Sequence, residues 1–235
     1  MYLRPLLNEV MKAFLFGCIL WAAVFCSRNL NAAELNPMVA AWLAAQTNIN
    51  SWSADFVQTR TLKSLTQPLM ATGQVWFAAP NKFRWELGKP AQTIAVRSTD
   101  QLQVIYPRLK RVERFPLSGN RAGTWKDALA LLEAGFPRSA AELEAQYDIL
   151  EQQTDDSVGR LVLQPKSASA RRMMPQIRIE FDLKNLSLRA TTLVFADGSS
   201  LRNDFSNPVL NPPIDQQQFS PEIPKDYKVV DPLSQ

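Results

Sequence analysis

The stretch Lys82-Phe83-Arg84-Trp85-Glu86-Leu87 alternates strictly between charged and apolar residues. Successive side chains of an extended chain point to opposite sides, so Phe83, Trp85 and Leu87 share one face and the charged residues share the other. This alternation predicts a β-strand in an antiparallel sheet that has one dry face and one wet face. We call the dry face the inner face.

The same two-residue period recurs in the segments on either side of this strand. Turn residues at Gln67-Pro68, Pro80-Asn81 and 98–100 separate these segments from one another. We expect the apolar residues of the neighbouring segments to lie on the inner face as well, and these are Trp52, Phe56, Val75, Phe77, Ile94, Val96, Leu102 and Val104. A further strand, 108–115, is strongly basic.

A second series of strands is predicted in the C-terminal half of the chain. Apolar residues alternate in segments 147–152, 160–164, 176–182, 186–195 and 201–205. Asp197-Gly198 between the last two segments is typical of a tight hairpin turn. The Pro-rich tail, 211–232, is expected to wrap an edge of the sheet.

Three helices are predicted from apolar residues that recur at helical spacing. The first begins at Asn36-Pro37, because Asn is a favourable N-cap and Pro a favourable first helical residue. The second follows Thr124, and the third spans 139–146. The first two carry apolar residues that we expect to form a lid: Met38, Trp42, Trp125, Leu129 and Leu132.

These elements predict a mainly β protein of the α+β class. About ten strands that each have one dry face must curl around an interior, and three helices can cover only part of that surface. We therefore expect a single antiparallel sheet that curls into an incomplete β-barrel, with the helices as a lid over a hydrophobic cavity. Since no change of composition marks a linker, one domain, 34–235, is predicted.

The composition excludes many kinds of catalysis. The 235 residues include no histidine, which excludes Ser-His and Cys-His triads and every metal site that needs imidazole. The sequence also has no G-x-S-x-G motif, no glycine-rich phosphate loop and no cluster of carboxylates typical of a metal site. We expect neither an enzyme nor a protein with a cofactor or metal.

The first 33 residues have the pattern of a cleavable secretory signal. Lys12 precedes an apolar run at 13–25, and Asn31-Ala32-Ala33 provides small residues for cleavage. Met11 is an alternative start. The run is too short to span a bilayer comfortably. Export from the cytoplasm is therefore predicted.

Cleavage would change the chemistry of the chain. Cys18 and Cys26 both lie in the leader, and a lipid-attachment site there is disfavoured because Phe25 precedes Cys26. The remaining chain would have 23 basic and 21 acidic residues and neither cysteine nor histidine. A nearly neutral exported protein without disulfides is not expected to bind nucleic acid.

The run from Gly73 to Trp85, GQVWFAAPNKFRW, resembles the LolA family of periplasmic lipoprotein carriers. The family pattern is Gly, a short apolar strand, Pro, and an alternating strand that holds Phe and Trp. Matches at 52–58, 90–96, 161–166 and 219–231 extend the resemblance over 34–231, which is nearly all of the predicted mature chain.

The resemblance implies an incomplete barrel, closed by a helical lid, whose cavity shields the acyl chains of lipoproteins. It implies that Phe83 and Trp85 face the cavity and that Trp52, Phe56, Val75 and Phe77 lie on neighbouring inward-facing strands. It also implies a periplasmic monomer that receives lipoproteins from an ABC-type release complex of the inner membrane and passes them to an outer-membrane acceptor. The family often has Arg immediately before the strand-turn proline, where it holds the lid shut. Here that residue is Ala79, so the arginine of that latch is missing at this position.

Other interpretations remain open from the sequence. One-sided aromatic strands are most often plain core. The basic residues of 108–114 indicate either a solvated strand edge or a surface for an acidic partner. A lipid- or lipoprotein-sensing regulator on the same architecture is the main alternative function. Such regulators usually have a second domain, which favours the carrier.

Overall fold

The computed structural model describes residues 35–117, 137 and 139–232, which form one twelve-stranded sheet and three α-helices. The helices are α1 Pro37–Gln46, α2 Ala140–Gln146 and α3 Ala168–Met173. The strands are β1 Ser51–Thr61, β2 Leu69–Ala78, β3 Lys82–Leu87, β4 Thr93–Arg97, β5 Gln101–Tyr106, β6 Arg111–Pro116, β7 Tyr147–Asp155, β8 Val158–Pro165, β9 Gln176–Asp182, β10 Leu188–Val194, β11 Ser200–Leu210 and β12 Lys228–Val230. Short 3-10 helices occupy Pro107–Leu109 and Gln216–Phe219.

The sheet consists of two antiparallel meanders that share one seam. Strands β1 to β6 pair in sequence order, and so do β7 to β11. Strand β1 joins the two meanders by pairing with β11, and β12 adds to β6 as a parallel strand. Strands β7 and β12 are the two edges, so the sheet is open. The predicted fold class, an incomplete and mainly antiparallel barrel sheet with helices, is confirmed.

The local signals for two of the helices are confirmed. Helix α1 begins at Pro37, and the side chain of Asn36 accepts a hydrogen bond from the Met38 N–H at 2.9 Å. Helix α2 begins after Ser139, whose hydroxyl accepts a hydrogen bond from the Glu142 N–H at 3.1 Å. These caps satisfy N–H groups that a helix start leaves without an intrahelical partner. The predicted leader and the helix around Trp125 lie outside the described residues.

Helix α3 was not predicted from the sequence. Its six residues, ASARRM, have no apolar period. The helix forms because Ser167 caps it by accepting a hydrogen bond from the Ala170 N–H. It connects the end of β8 to the start of β9, and its buried residue is the small Ala170. The burial of a single alanine leaves little trace in a hydrophobic pattern.

A fully buried part of the core lies under α1, on the inner face of the second meander. Trp42 of α1 stacks on Phe181 of β9, with ring centroids 4.9 Å apart and planes at 14°. Both side chains are fully buried. Around them lie further fully buried aliphatic side chains from β8 and β9, namely Leu161, Leu163, Ile177 and Ile179. Helix α1 is therefore fixed to the second meander by a dry interface.

The C-terminal segment, residues 211–227, covers the outer face of the first meander. Phe219 is buried there in a small cluster with Ala78 and Val96, and Ile214 packs against the same cluster. The Arg84 guanidinium donates to the Gln218 carbonyl at 3.1 Å and helps to hold the segment. The segment then leads into β12. The tail thus covers an edge, as predicted, and in addition part of the outer face.

An ion cluster on the outer face ties together three strands of the second meander. Arg202 of β11 makes two 3.0 Å hydrogen bonds to the Glu180 carboxylate of β9 and also contacts Asp204. It reaches across β10, where the small Ala190 is opposite both acidic residues. The hydrogen bonds from Arg202 lower the pKa of Glu180, although burial opposes this.

Replacing Glu180 with glutamine is expected to lower the free energy of unfolding by about 1 kcal/mol near neutral pH, since the pair is partly exposed to solvent. A carboxyl whose pKa is lower in the folded state stabilises the fold at pH values above its unfolded pKa of about 4.3. That contribution is lost as the pH falls through the lower folded pKa. Urea unfolding at several pH values should show the two proteins converging in acid.

The exposed residue Glu222 provides the control for this pH dependence. Glu222→Gln should leave the unfolding free energy close to that of the wild type at every pH. A Glu180→Gln difference that stays constant into acid would mean that the charge of Glu180 does not contribute to the stability.

Candidate functional site

The register of the first meander brings the predicted aromatic residues together on the inner face. Phe77 of β2 lies opposite Phe83 of β3, and Val75 lies opposite Trp85. Directly opposed residues of antiparallel strands have their side chains on the same face. On the other side of β2, Phe77 lies opposite Trp52 of β1. The alternation read from the sequence therefore identifies the inner face of β1, β2 and β3.

Four aromatic rings form the floor of this region. Trp85 lies 4.2 Å from Phe56 between ring centroids, and its edge-on contact to Phe205 is 6.2 Å. Trp52 meets Phe205 edge-on at 5.2 Å. Phe205 comes from β11, so the cluster extends across the seam between the meanders. Aromatic pairs in such geometries add about 0.5–1.5 kcal/mol beyond burial.

Phe205 was not among the predicted site residues. Its segment was predicted as a strand, but nothing in the sequence indicates that this strand is next to β1. The signal that was available is its period of two with Leu201, which also packs against the core. The pairing of two strands that are about 150 residues apart in sequence depends on the tertiary fold, and local periodicity does not indicate it.

Strand β5 continues the inner face as predicted. Val104 is opposite Ala95, and Leu102 is opposite Arg97, so both apolar side chains share the face of Trp85 and Phe83. Leu102 and Phe83 pack with Phe115 of β6 in a second cluster. We define the inner apolar surface as six inward-facing side chains of β2, β3 and β5, namely Phe77, Phe83, Trp85, Leu87, Leu102 and Val104. Phe83 and Leu102 are buried, and the other four are half-buried.

The assignment of Ile94 and Val96 to the inner face is wrong. Trp85 is opposite Ala95, which places Ile94 and Val96 on the outer face. There they pack against Phe219 and the C-terminal segment. The alternation of β4 correctly indicated burial, but both faces of this strand are covered. The pattern alone could not show which face carries which side chains.

The two halves of the inner face differ in how deeply their side chains are buried. The aliphatic residues of β8 and β9 beneath α1 are fully buried, whereas Phe77, Trp85, Leu87 and Val104 are half-buried. An apolar surface of large side chains that remains partly accessible is unusual in an interior and is typical of ligand-binding regions. The inner apolar surface is therefore the candidate site.

The predicted lid residues are placed as follows. Trp42 is fully buried against Phe181, and Met38 of the same helix is half-buried. Trp125, Leu129 and Leu132 lie outside the described residues. The described part of the predicted lid, α1, is thus packed on the second meander and lies beside the inner apolar surface.

Charged groups border the inner apolar surface on β4 and β6. Arg97 lies in register between Phe83 and Leu102, and burial lowers its pKa. Glu113 is paired with Arg111 at 2.6 Å and accepts a hydrogen bond from the Tyr106 hydroxyl at 3.4 Å. Burial, with a further contribution from the Glu113 charge, raises the pKa of Tyr106. None of these groups was identified from the sequence as part of the site.

This arrangement provides a binding surface and few reactive groups. Within 35–117, 137 and 139–232, no three carboxylate, cysteine or histidine side chains are grouped so that they could hold a metal ion. No helix in these ranges is long and apolar enough to cross a membrane. The described side chains provide an apolar surface with guanidinium hydrogen-bond donors at its border.

Comparison with known proteins identifies a matching family. The family model "Outer membrane lipoprotein carrier protein LolA" matches residues 47–222. A curated relative, an outer-membrane lipoprotein carrier protein of Chromohalobacter salexigens, is 29% identical over 184 residues, which cover 78% of this chain and 81% of the relative.

Solved structures are similar to this chain at low sequence identity. A conserved protein from Thermus thermophilus is 10% identical with a TM-score of 0.48, and the match covers 80% of this chain and 94% of that one. A LolA superfamily protein from Nitrosomonas europaea is 11% identical with a TM-score of 0.40, over 77% and 96% of the two chains. MucB in its complex with MucA from Pseudomonas aeruginosa is 16% identical with a TM-score of 0.43, over 81% of this chain and 61% of the other.

Proposed function

Because the chain belongs to the LolA family of outer membrane lipoprotein carrier proteins, we propose that it carries lipoproteins across the periplasm with their acyl chains held against the inner apolar surface. The observation that supports this site is the set of half-buried aromatic and aliphatic side chains on the first meander. In this proposal the cargo moves from the inner membrane to the outer membrane.

The free energy of exposing acyl chains to water makes a carrier necessary. A chain of about 16 carbons costs on the order of 12 kcal/mol to expose, at ~0.8 kcal/mol for each CH₂ group. A lipoprotein with two or three such chains does not cross an aqueous compartment alone. A surface of Phe, Trp, Leu and Val side chains replaces water around the chains without selecting a particular sequence in the attached protein.

The predicted lining now divides into buried residues and a contact surface. Trp52 and Phe56 of the floor and the adjacent Val75 are buried, while Phe77, Leu87, Val104 and the Trp85 ring of the floor are accessible enough to meet a ligand. We assign acyl contact to this second group. Release of the cargo would follow if side chains of the protein itself replace the acyl chains, a role for which the predicted lid residues are suited.

The remaining parts of the proposal concern the route. The pattern of the first 33 residues supports export through a cleavable signal, and the family supports a periplasmic location. An inner-membrane ABC-type complex would load the carrier and an outer-membrane acceptor would empty it, with the carrier acting as a monomer. These partners follow from the family alone.

Native mass spectrometry of protein recovered from the periplasm provides the direct test. We expect acylated species to copurify with the wild type. Val104→Glu, which places a carboxylate on the inner apolar surface, should lower occupancy by a synthetic triacylated lipopeptide about tenfold, a change of ~1.4 kcal/mol in binding free energy. Val104 is half-buried, so the variant should still fold.

A matched variant on the opposite face separates binding from folding. Thr72→Glu adds the same charge at an exposed position of β2 that faces outward, since Thr72 is adjacent to inward-facing Gly73. It should bind the lipopeptide like the wild type. Equal occupancy of the Val104→Glu and Thr72→Glu proteins, or a wild type that stays empty in the presence of lipopeptide, would refute the proposed site.

A further inference from the structure

Three turns of the first meander lie on the same side of the sheet, at the ends of the strands and not along an edge strand. Because the strands alternate in direction, the β1–β2, β3–β4 and β5–β6 connections all reach one side, and the β2–β3 and β4–β5 connections reach the other. The three turns span 62–68, 88–92 and 107–110. We call them, with the strand residues that flank them, the hairpin edge. At ~4.8 Å between strands, the first and third turns are about 19 Å apart along the sheet.

The hairpin edge exposes large apolar side chains. The exposed fractions are 45% for Leu65, 53% for Leu69, 68% for Met70 and 70% for Leu109. Single exposed aliphatic residues are ordinary on protein surfaces. Here, however, four of the nine large hydrophobic residues that are exposed among the described residues lie at one edge of one meander. None of them contributes to the core clusters.

The same three turns carry only positive charge. They contain Lys63, Lys89, Arg108 and Lys110 and no carboxylate, and Arg60 lies at the end of β1 beside them. The turns at the opposite edge of this meander, 79–81 and 98–100, contain a single charged residue, Asp100. The hairpin edge is therefore the basic end of the first meander.

Three carboxylates outside these turns approach their basic residues. The charge of Lys89 contributes slightly to lowering the pKa of Asp55 in β1, for which the hydrogen bonds from Asn207 and Gln74 are the main causes. Asp226 pairs with Lys110 at 2.7 Å. Asp197 lies in the β10–β11 turn. Its pKa is lowered mainly by the hydrogen bonds from Ser199, and the charge of Lys63 lowers it slightly further. The start of β7 lies at the same strand ends as the three turns, but β7 is separated from β1 by β8, β9, β10 and β11. The carboxylates of α2 and the start of β7, Glu142, Glu144 and Asp148, therefore lie at the other edge strand of the sheet. Lys89, Arg60 and Arg108 have no carboxylate among the described ion pairs.

We propose that the hairpin edge docks onto the surface of a membrane that contains anionic lipids. Protruding Leu and Met side chains between Lys and Arg side chains are the combination that binds lipid interfaces, because the apolar groups enter the headgroup region while the cations remain at the phosphates. Leu65 and Leu109 lie in the turns, and Leu69 and Met70 are the first two residues of β2. Apolar side chains spread along an edge in this way suit a fluid lipid surface better than a preformed protein pocket.

The hairpin edge adjoins the candidate site, so docking would bring that site to the membrane. Leu87, the last residue of β3, belongs to the inner apolar surface, and the next residue, Gly88, begins the β3–β4 turn of the hairpin edge. The inner apolar surface thus extends to the docking edge. Docking would place the end of that surface at the lipid headgroups, where acyl chains would enter or leave without crossing water.

Flotation of the purified protein with lipid vesicles tests this inference and needs no lipoprotein, so its outcome is independent of the proposed carrier function. We expect binding to vesicles of mixed phosphatidylcholine and phosphatidylglycerol, weaker binding to phosphatidylcholine alone, and a decrease with salt. Lys63→Glu combined with Lys89→Glu should lower the partition coefficient at least about tenfold on the anionic vesicles. Leu65→Ser combined with Met70→Ser should lower it about tenfold as well.

Lys184→Glu is the matched control, since Lys184 is exposed in the turn between β9 and β10, at the opposite edge of the sheet. It should bind vesicles like the wild type. Equal binding to neutral and anionic vesicles, or wild-type binding by the Lys63→Glu/Lys89→Glu protein, would overturn the proposal. Absence of binding to anionic vesicles would also overturn it and would leave an acidic protein as the occupant of this edge.

Discussion

Phe181→Ala is expected to lower the free energy of unfolding by about 3–5 kcal/mol, which is a large part of the stability of an ordinary domain. Phe181 has no exposed surface, stacks on Trp42 at 4.9 Å and packs directly on Gly159 of the adjacent strand. Its removal leaves a cavity between α1 and the second meander that rigid strands cannot close. Urea unfolding followed by circular dichroism and Trp fluorescence measures the change.

Two further variants serve as comparisons for Phe181→Ala. Phe195→Ala makes the same chemical change at a half-buried position and should cost clearly less. Phe181→Leu leaves most of the volume in place and should cost about 1–2 kcal/mol, so it remains measurable if the alanine variant does not fold. Equal losses for Phe181→Ala and Phe195→Ala would show that the interface beneath α1 is not the stabilising centre of the fold.

Gly73→Ala should destabilise the protein by about 2–3 kcal/mol and weaken cargo binding as well. A Cβ atom at this position would collide with the ring of Phe56 and with the main-chain carbonyl oxygen of Glu86 on β3. A ring can move, but a backbone carbonyl in a ladder cannot move unless the strands separate. Separation of β2 from β3 would shift Trp85 away from Phe56, now 4.2 Å from it, and so disturb the floor of the candidate site.

Gly159→Ala is the informative comparison, because an added Cβ there meets ring atoms of Phe181 as its three nearest neighbours. We therefore expect Phe181→Leu to restore much of the stability that Gly159→Ala removes. Phe56→Leu should not rescue Gly73→Ala, since the clash with the Glu86 carbonyl remains. Rescue of both glycine variants by a smaller ring partner would refute this distinction. Unfolding free energies and lipopeptide occupancy are the two measurements.

Local chemistry predicted much of the fold. Asn36-Pro37 marked the start of α1, Asp197-Gly198 marked the β10–β11 turn, and the alternation at Phe83, Trp85 and Leu87 identified the inner face of β3. Each of these signals acts within a few residues of itself, through a cap, a turn conformation or the two-residue period of a strand. The sequence therefore contained enough to predict the class of sheet and the inner face of most strands.

What the sequence did not predict depends on contacts between distant residues. Ile94 and Val96 alternate as clearly as the residues of β3, yet they face the C-terminal segment, because Phe219 provides an apolar partner on the outer side. Phe205 enters the aromatic floor only because β11 pairs with β1. Arg97 lies among apolar neighbours, and at such a position a hydropathy pattern predicts an apolar residue. In each case the missing information is which element covers the strand.

The seam between β1 and β11 has a consequence for how the chain reaches its final state. Within each meander every strand pairs with its neighbour in sequence, so the contacts form between residues that are close along the chain. At the seam, Asp55 accepts a hydrogen bond from Asn207, 152 residues away. Closing so long a loop costs chain entropy before any contact repays it. We therefore expect each meander to form before the seam closes. On this expectation the aromatic floor, which Phe205 completes from across the seam, is assembled late in folding.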